Sequence, residues 1–272
     1  MPRFINPKNS FITHTLSEVV ENNPGMQKIG EKRQTGFSMG SLEDSAKRAE
    51  QMPQYRTHNE PVLYSFKKNG EEASVLVIPD GIDLLCGKGA ADKLEMESRA
   101  QPFDTKFLNT RRNMVMQKHG RQNNCYADEA QEPDIPQGKG TVIAFDTTPQ
   151  MKQLREALPS IFGPDAKGLF AETNFYTDVT NREVGIGFHG DTERSIVIGA
   201  RLGEASLPLR FQWYQKSLPI SEEHAIQLKH GDLYAMSHKA TGHDWLKKNV
   251  ATLRHGVGRK AIVKKPVRKV HA

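Results

Sequence analysis

The chain has 272 residues, of which 36% are apolar and 26% charged, with a formal net charge of +6. That balance is the composition of a soluble globular protein, one large domain or one domain with an extension, carrying some polar and loosely structured stretches. No apolar run is long enough to cross a membrane, the start Met-Pro-Arg-Phe-Ile-Asn lacks the apolar stretch of a secretion signal, and two cysteines, Cys86 and Cys125, make no disulfide framework.

Residues 1–60 are polar with few periodic apolar positions, so they are expected to form an extension that wraps the core or stays partly disordered. Within 61–106, Val62–Phe66 and Ala73–Ile78 alternate as strands around Asn69-Gly70, a strong hairpin signal, and Gly89–Ala100 is expected to be a short helix. The stretch 107–140 is rich in Asn, Arg, Gln and Gly, including Arg111, Arg112 and Tyr126, and reads as a long surface loop or lid. Thr141–Phe145 is a predicted strand. Thr148-Pro149 then provides an N-cap and an N1 proline for a helix with an apolar stripe of Met151, Leu154, Leu158 and Ile161, ended by Gly163-Pro164.

The stretch from Glu172 to Glu193 concentrates the chemistry. Side chains at i and i+2 of a strand share a face, so His189 and Asp191 in His-Gly-Asp can reach one metal ion from a single element. Two histidines and one carboxylate with positions left open suit non-heme Fe(II), so a second histidine is required. His238, His243 and His255 are the candidates. Upstream, Asn174 and Tyr176 share one strand parity. Downstream, Ile196, Ile198, Ala200 and Leu202 form one apolar face, which leaves Arg201 on the other, where a buried guanidinium needs an anion. Leu209–Tyr214, Ala225–Leu228 and Asp232–Ser237 look like successive strands. From Arg259 to Ala272 six Lys and Arg residues stand without an acid, a charge equal to the whole chain's net value. Such a tail is a solvated end or an attractor of nucleic-acid phosphates.

The order Asn174-X-Tyr176, His189-X-Asp191-X-Glu193, Arg201-Leu202-Gly203, Gly231-Asp232 and His255-Gly256-Val257 resembles the AlkB-like family of Fe(II)/2-oxoglutarate dioxygenases, over roughly residues 107 to 258. The resemblance implies an α+β, mainly β, fold: a double-stranded β-helix, jelly-roll-like and flanked by helices. It implies Fe(II) held by His189, Asp191 and His255, with 2-oxoglutarate as co-substrate met by Asn174 and Tyr176, and O2 as substrate. His255 precedes Gly-Val as the family's distal histidine does, although His243 lies at a spacing closer to the family's. The family closes with two arginines six apart on the next strand. Here only Arg268 lies at an acceptable distance, so either Arg268 or Arg201 holds the distal carboxylate. The lid 107–140, with Arg111, Arg112 and Tyr126, and Glu193 at the site mouth would then meet the substrate, a modified base in DNA or RNA. A protein side chain is the alternative substrate. The alternative outside the enzymes is a nucleic-acid-binding protein on a degenerate scaffold. The expected location is intracellular, cytoplasmic or nuclear.

Overall fold

A computed structural model describes residues 5–53 and 60–258. In chain order it runs through β1 (Phe11–Ser17), the small hairpin β2 (Val19–Glu21) and β3 (Lys28–Gly30), and helix α1 (Met39–Glu50). A hairpin, β4 (Val62–Lys68) and β5 (Glu71–Ile78), leads to helices α2 (Gly81–Cys86) and α3 (Ala90–Arg99). A second hairpin, β6 (Lys106–Asn109) and β7 (Met114–Gln117), precedes β8 (Gln122–Ala127) and β9 (Val142–Ala144). Helices α4 (Pro149–Ala157) and α5 (Pro159–Phe162) separate these from β10 (Phe170–Tyr176) and β11 (Ile186–His189). The rest is β12 (Val197–Leu202), β13 (Leu209–Gln215), β14 (Leu218–Pro219), β15 (His224–Ile226), β16 (Leu233–Met236) and β17 (Thr252–Val257).

The protein is mainly β. Eight strands form one sheet in the order β4-β5-β16-β12-β1-β10-β8-β9, and a smaller sheet runs β11-β17-β13-β14 with β15 on β13. Alternation decides which layer each side chain enters. Ile12, Leu16, Ile198, Ala200 and Leu202 face α1 to α5 and share a core with Leu42, Leu94, Leu154 and Ile161. Val75, Val77, Val197 and Met236, at the opposite parity, meet Leu209, Phe211, Trp213 and Leu253 of the smaller sheet. Both faces of the inner strands are therefore largely buried, while edge strand β4 leaves Val62 and Tyr64 exposed. Each buried aliphatic side chain contributes about 1.5–3 kcal/mol.

Local chemistry explains the elements. Asn69 and Gly70 both have positive φ, 50° and 79°, the pair a two-residue type I′ hairpin turn requires. The helical stripe at Met151 to Ile161 is present but interrupted, because Pro159 starts α5 afresh. Thr148 does not cap α4. Its hydroxyl turns back to the carbonyls of Ala144 and Phe145, and Glu97 from α3 accepts the Gln150 and Met151 amides at 3.0 and 2.9 Å instead.

Two readings are corrected. Residues 1–60 are not simply an extension, because β1 pairs with β10 on one side and β12 on the other, in the middle of the large sheet. Its Phe-Ile-Thr-His-Thr-Leu-Ser is fully buried except at the half-buried Thr13 and Thr15, and with polar His14 and Ser17 among the buried positions no apolar alternation betrays it. The stretch 107–140 is a lid only in part: β6–β7 is a separate hairpin, whereas β8 is a sheet strand paired with β10.

His14 gives this core a pH dependence. Fully buried in β1, it bonds the hydroxyls of Thr173 and Ser98, each at 2.8 Å, and burial lowers its pKa to about 3. The unfolded chain takes up that proton near 6.5 and the folded one refuses it. Stability is therefore complete above the unfolded value and declines by up to about 1.4 kcal/mol per pH unit as pH falls from there. Denaturant midpoints measured from pH 7 to pH 4 should show a shallower fall for His14→Gln than for the parent. Parallel curves would refute the assignment.

Candidate metal centre

His189 ends β11, Asp191 follows two residues later, and His255 lies directly opposite His189 in β17. One nitrogen or oxygen from each of the three lies within 4.8 Å of the others. His189 Nε2 is 3.6 Å from one Asp191 oxygen and His255 Nε2 is 3.8 Å from the other. The backbone sets the ring of His189. Its Nδ1 meets the Gly187 carbonyl at 2.9 Å, and since a carbonyl only accepts, Nδ1 carries the proton and Nε2 keeps its lone pair for a metal. Burial first, then the neighbouring His189 ring and Arg194, hold His255 well below the ordinary histidine pKa, so its ring is neutral. Asp191 is fixed by its own amide, which donates to the Thr241 carbonyl at 2.9 Å. Two imidazoles and a carboxylate form a donor set that fits a divalent transition ion with positions left for other ligands.

His238 and His243 do not join this cluster. They stack on each other with centroids 3.8 Å apart, and His243 Nδ1 donates to the His238 carbonyl.

Around the three ligands lies a buried ionic network. Arg194 donates to Glu172 at 2.9 Å and Glu193 at 3.1 Å and lies 3.8 Å from Asp191. Glu172 also receives Arg121 at 3.4 Å. Burial opposes the charge on Glu172, but the two guanidinium groups more than offset it, so its carboxyl lies below the ordinary value. These charges fix the carboxylate face of the centre. The sequence reading gives Arg121 and Glu172 no role, although Glu172 opens the stretch it singles out and shares the parity of Asn174 and Tyr176 along β10; a salt bridge to Arg194 was the other role open to Glu193, and that bridge is present.

Asn174 is buried with its Oδ1 accepting from Arg121 Nε, which leaves its amide hydrogens to donate. Tyr176 stacks on Phe11 at 4.3 Å, and burial pushes its hydroxyl up to about 12. Arg201 is 1% exposed. Its guanidinium donates to the carbonyls of Leu202 and Ala205 and lies over the Phe11 ring at 3.5 Å, while Nε has no partner. Among the described residues no carboxylate pairs with it, and burial lowers its pKa to about 9. Tyr234, also missed, crosses the inner face of β12: a Cβ on Gly199 would meet its ring at 2.0 Å. A glycine inside a strand signals such an approach.

The expected substrate residues are scattered. Arg111 and Arg112 are exposed at the tip of the β6–β7 hairpin, near Met114 and Val115, and Glu193 is committed to Arg194. Tyr126 is corrected: it points to the helical side, edge-on to His14 at 6.0 Å, because the register puts Cys125, not Tyr126, beside Glu172. Arg268 and the basic stretch from Arg259 lie outside the described residues. No helix among the described residues is long and apolar enough to cross a membrane.

No family model matches the chain. An uncharacterized protein of Acanthamoeba polyphaga mimivirus is 38% identical over 259 residues, covering 93% of this chain and 97% of that protein. The chain belongs to the family of that mimivirus protein.

Proposed function

We propose that the protein is an AlkB-like Fe(II)/2-oxoglutarate-dependent dioxygenase, built on a double-stranded β-helix, that hydroxylates or oxidatively demethylates a modified base in nucleic acid. The observation that carries this reading is the convergence of His189, Asp191 and His255 within 4.8 Å of one another. The two facing sheets support the jelly-roll reading, with β1 from the N-terminal part of the chain in the place between β10 and β12. Arg201, buried in β12 with no carboxylate partner among the described residues, is favoured over Arg268 as the partner of the distal carboxylate.

Bound iron and 2-oxoglutarate would supply the activation of O2 and the oxidation of a C–H bond. The chain supplies the rest. His189, Asp191 and His255 would hold the ion, the Asn174 amide and the Tyr176 hydroxyl would orient the co-substrate, and Arg201 would take its distal carboxylate. Phe211 and Trp213, buried between the sheets, keep water out. The exposed arginines of the β6–β7 hairpin support a polyanionic substrate.

The test is succinate release from 2-oxoglutarate with Fe(II), with and without single-stranded oligonucleotides carrying methylated bases. Stimulation by an oligonucleotide, lost in Asp191→Ala, is expected. No stimulation by any oligonucleotide would end the nucleic-acid reading, and no succinate under any condition would end the oxygenase reading. Within it, Arg201→Ala should raise the 2-oxoglutarate requirement by about 10- to 100-fold, the worth of one charge-assisted hydrogen bond, with iron affinity unchanged. Arg268→Ala should change neither. A larger effect from Arg268→Ala would reverse the assignment.

A further inference from the structure

We propose that the cavity between the start of α1 and the turn that follows β16 binds a phosphate-class oxyanion, either free phosphate or the terminal phosphate of a nucleotide. The cavity is about 290 Å³ and is lined by Ser38, Met39, Ser74, Ser237, His238 and His243 among others. None of the three side chains of the metal centre lines it, and the inference does not depend on the function proposed above.

Three independent features line it: two are donors and the third is an imidazole nitrogen that an anion would draw a proton onto. The first is the start of α1, a 12-residue helix. The Ser41 amide is capped by the Ser38 hydroxyl at 3.0 Å and the Leu42 amide by the Ser38 carbonyl at 3.2 Å, whereas the amides of Met39 and Gly40, at the first two helical positions, have no intrahelical acceptor. The positive end of the helix favours an anion at that place.

The second is Ser74. It is 0% exposed, its backbone is bonded in both directions to Ser237 at 2.9 Å, and its hydroxyl has no partner among the described residues. A buried hydroxyl without a partner is uncommon enough to require a reason. The third is His238, whose Nε2 also lacks a partner, held by its stack on His243.

The charges nearby do not cancel these donors. Glu72 lines the cavity but pairs with Lys67 at 2.8 Å, and Lys239 is occupied by Glu71 and Asp244 at 2.6 and 2.8 Å. Burial first, then His243 and Lys32, lower the His238 pKa to about 4, against Asp244 and Glu18, which raise it. A bound anion would offset the first set, and His238 Nε2 would carry a proton toward it. A cation fits poorly, because the cavity offers two imidazoles and no free carboxylate.

The experiment is an NMR titration of the full-length protein with inorganic phosphate, and separately with adenosine monophosphate, at constant ionic strength set by chloride. Saturable shifts of the Met39 amide and an upward move of the His238 titration by about one unit or more are expected. Saturation by both ligands assigns the nucleotide as a source; saturation by phosphate alone assigns the free ion. Ser74→Ala should weaken phosphate binding about tenfold, the loss of one hydrogen bond to a charged ligand, without lowering Tm, since its hydroxyl bonds nothing among the described residues. His238→Gln provides a second variant with the same expected loss of affinity. No saturable shift at millimolar phosphate, or equal affinity in the parent and both variants, overturns the proposal.

Discussion

Asp191→Ala is expected to lower metal affinity by more than about 100-fold while leaving the fold intact. Groups that merely hold a ligand in place cost about 10- to 100-fold when removed, so the only carboxylate of the cluster must cost more. It spans both histidines, at 3.6 Å from His189 and 3.8 Å from His255, and without it two imidazoles remain to hold a dication. The fold should survive because Arg194, the nearest cation, keeps Glu172 and Glu193 at 2.9 and 3.0 Å. Calorimetric titration with cobalt(II), beside a thermal melt, separates the two effects. Undiminished affinity would show that the three side chains do not act as one site.

Glu172→Ala should be the most destabilising single change near the centre, by about 3 kcal/mol, because it takes the shortest ion pair from the buried Arg194 and the carboxylate partner from the partly buried Arg121. Arg194 is 5% exposed and loses its shortest ion pair, and Arg121 loses its only carboxylate among the described residues. For a chain of this size the expected fall in Tm is on the order of 10 °C. The sign of the pH effect follows from the lowered pKa. Folded Glu172 stays ionised where the unfolded chain, near 4.5, has begun to bind a proton. Its contribution is present above the unfolded value and is lost as pH falls through the lower folded one. Glu172→Gln keeps the shape and removes that titration, so its stability should be less sensitive to acid below the unfolded value. If parent and Glu172→Gln lose stability in parallel there, the carboxylate does not balance the two arginines.

Much of the architecture could be read from periodicity, and where it could not, the reason is physical. Asn69-Gly70 marked the β4–β5 turn because few other residues tolerate two positive φ angles in succession. The two-residue spacing of His189 and Asp191, with His255 before Gly256-Val257, pointed to the three side chains the fold brings together, although His243 had the more usual spacing. Periodicity fails when both faces of a strand are buried, since polar residues then stop marking the outside. That is why β1 and β8 were taken for an extension and a lid, and why Tyr126 was placed on the wrong side of its strand. The full part Arg194 plays, beyond its bridge to Glu193, was hidden for a different reason. Its role depends on three acids, Glu172, Asp191 and Glu193, which only the packing of β10 against the segment after β11 brings to one point.

The central place of β1 also sets a timetable for synthesis. Ile12 and Arg201, which touch across the β1–β12 ladder, are 189 residues apart in the chain. At roughly 5–20 residues per second a ribosome needs on the order of 10–40 s to pass from one to the other. Until β10 is made, near the end of that interval, the strand that will occupy the middle of the sheet has left the ribosome without either neighbour, offering open edges to any other chain. Folding should accordingly be late and all at once, and nascent chains stopped before β12 should be sensitive to protease along β1.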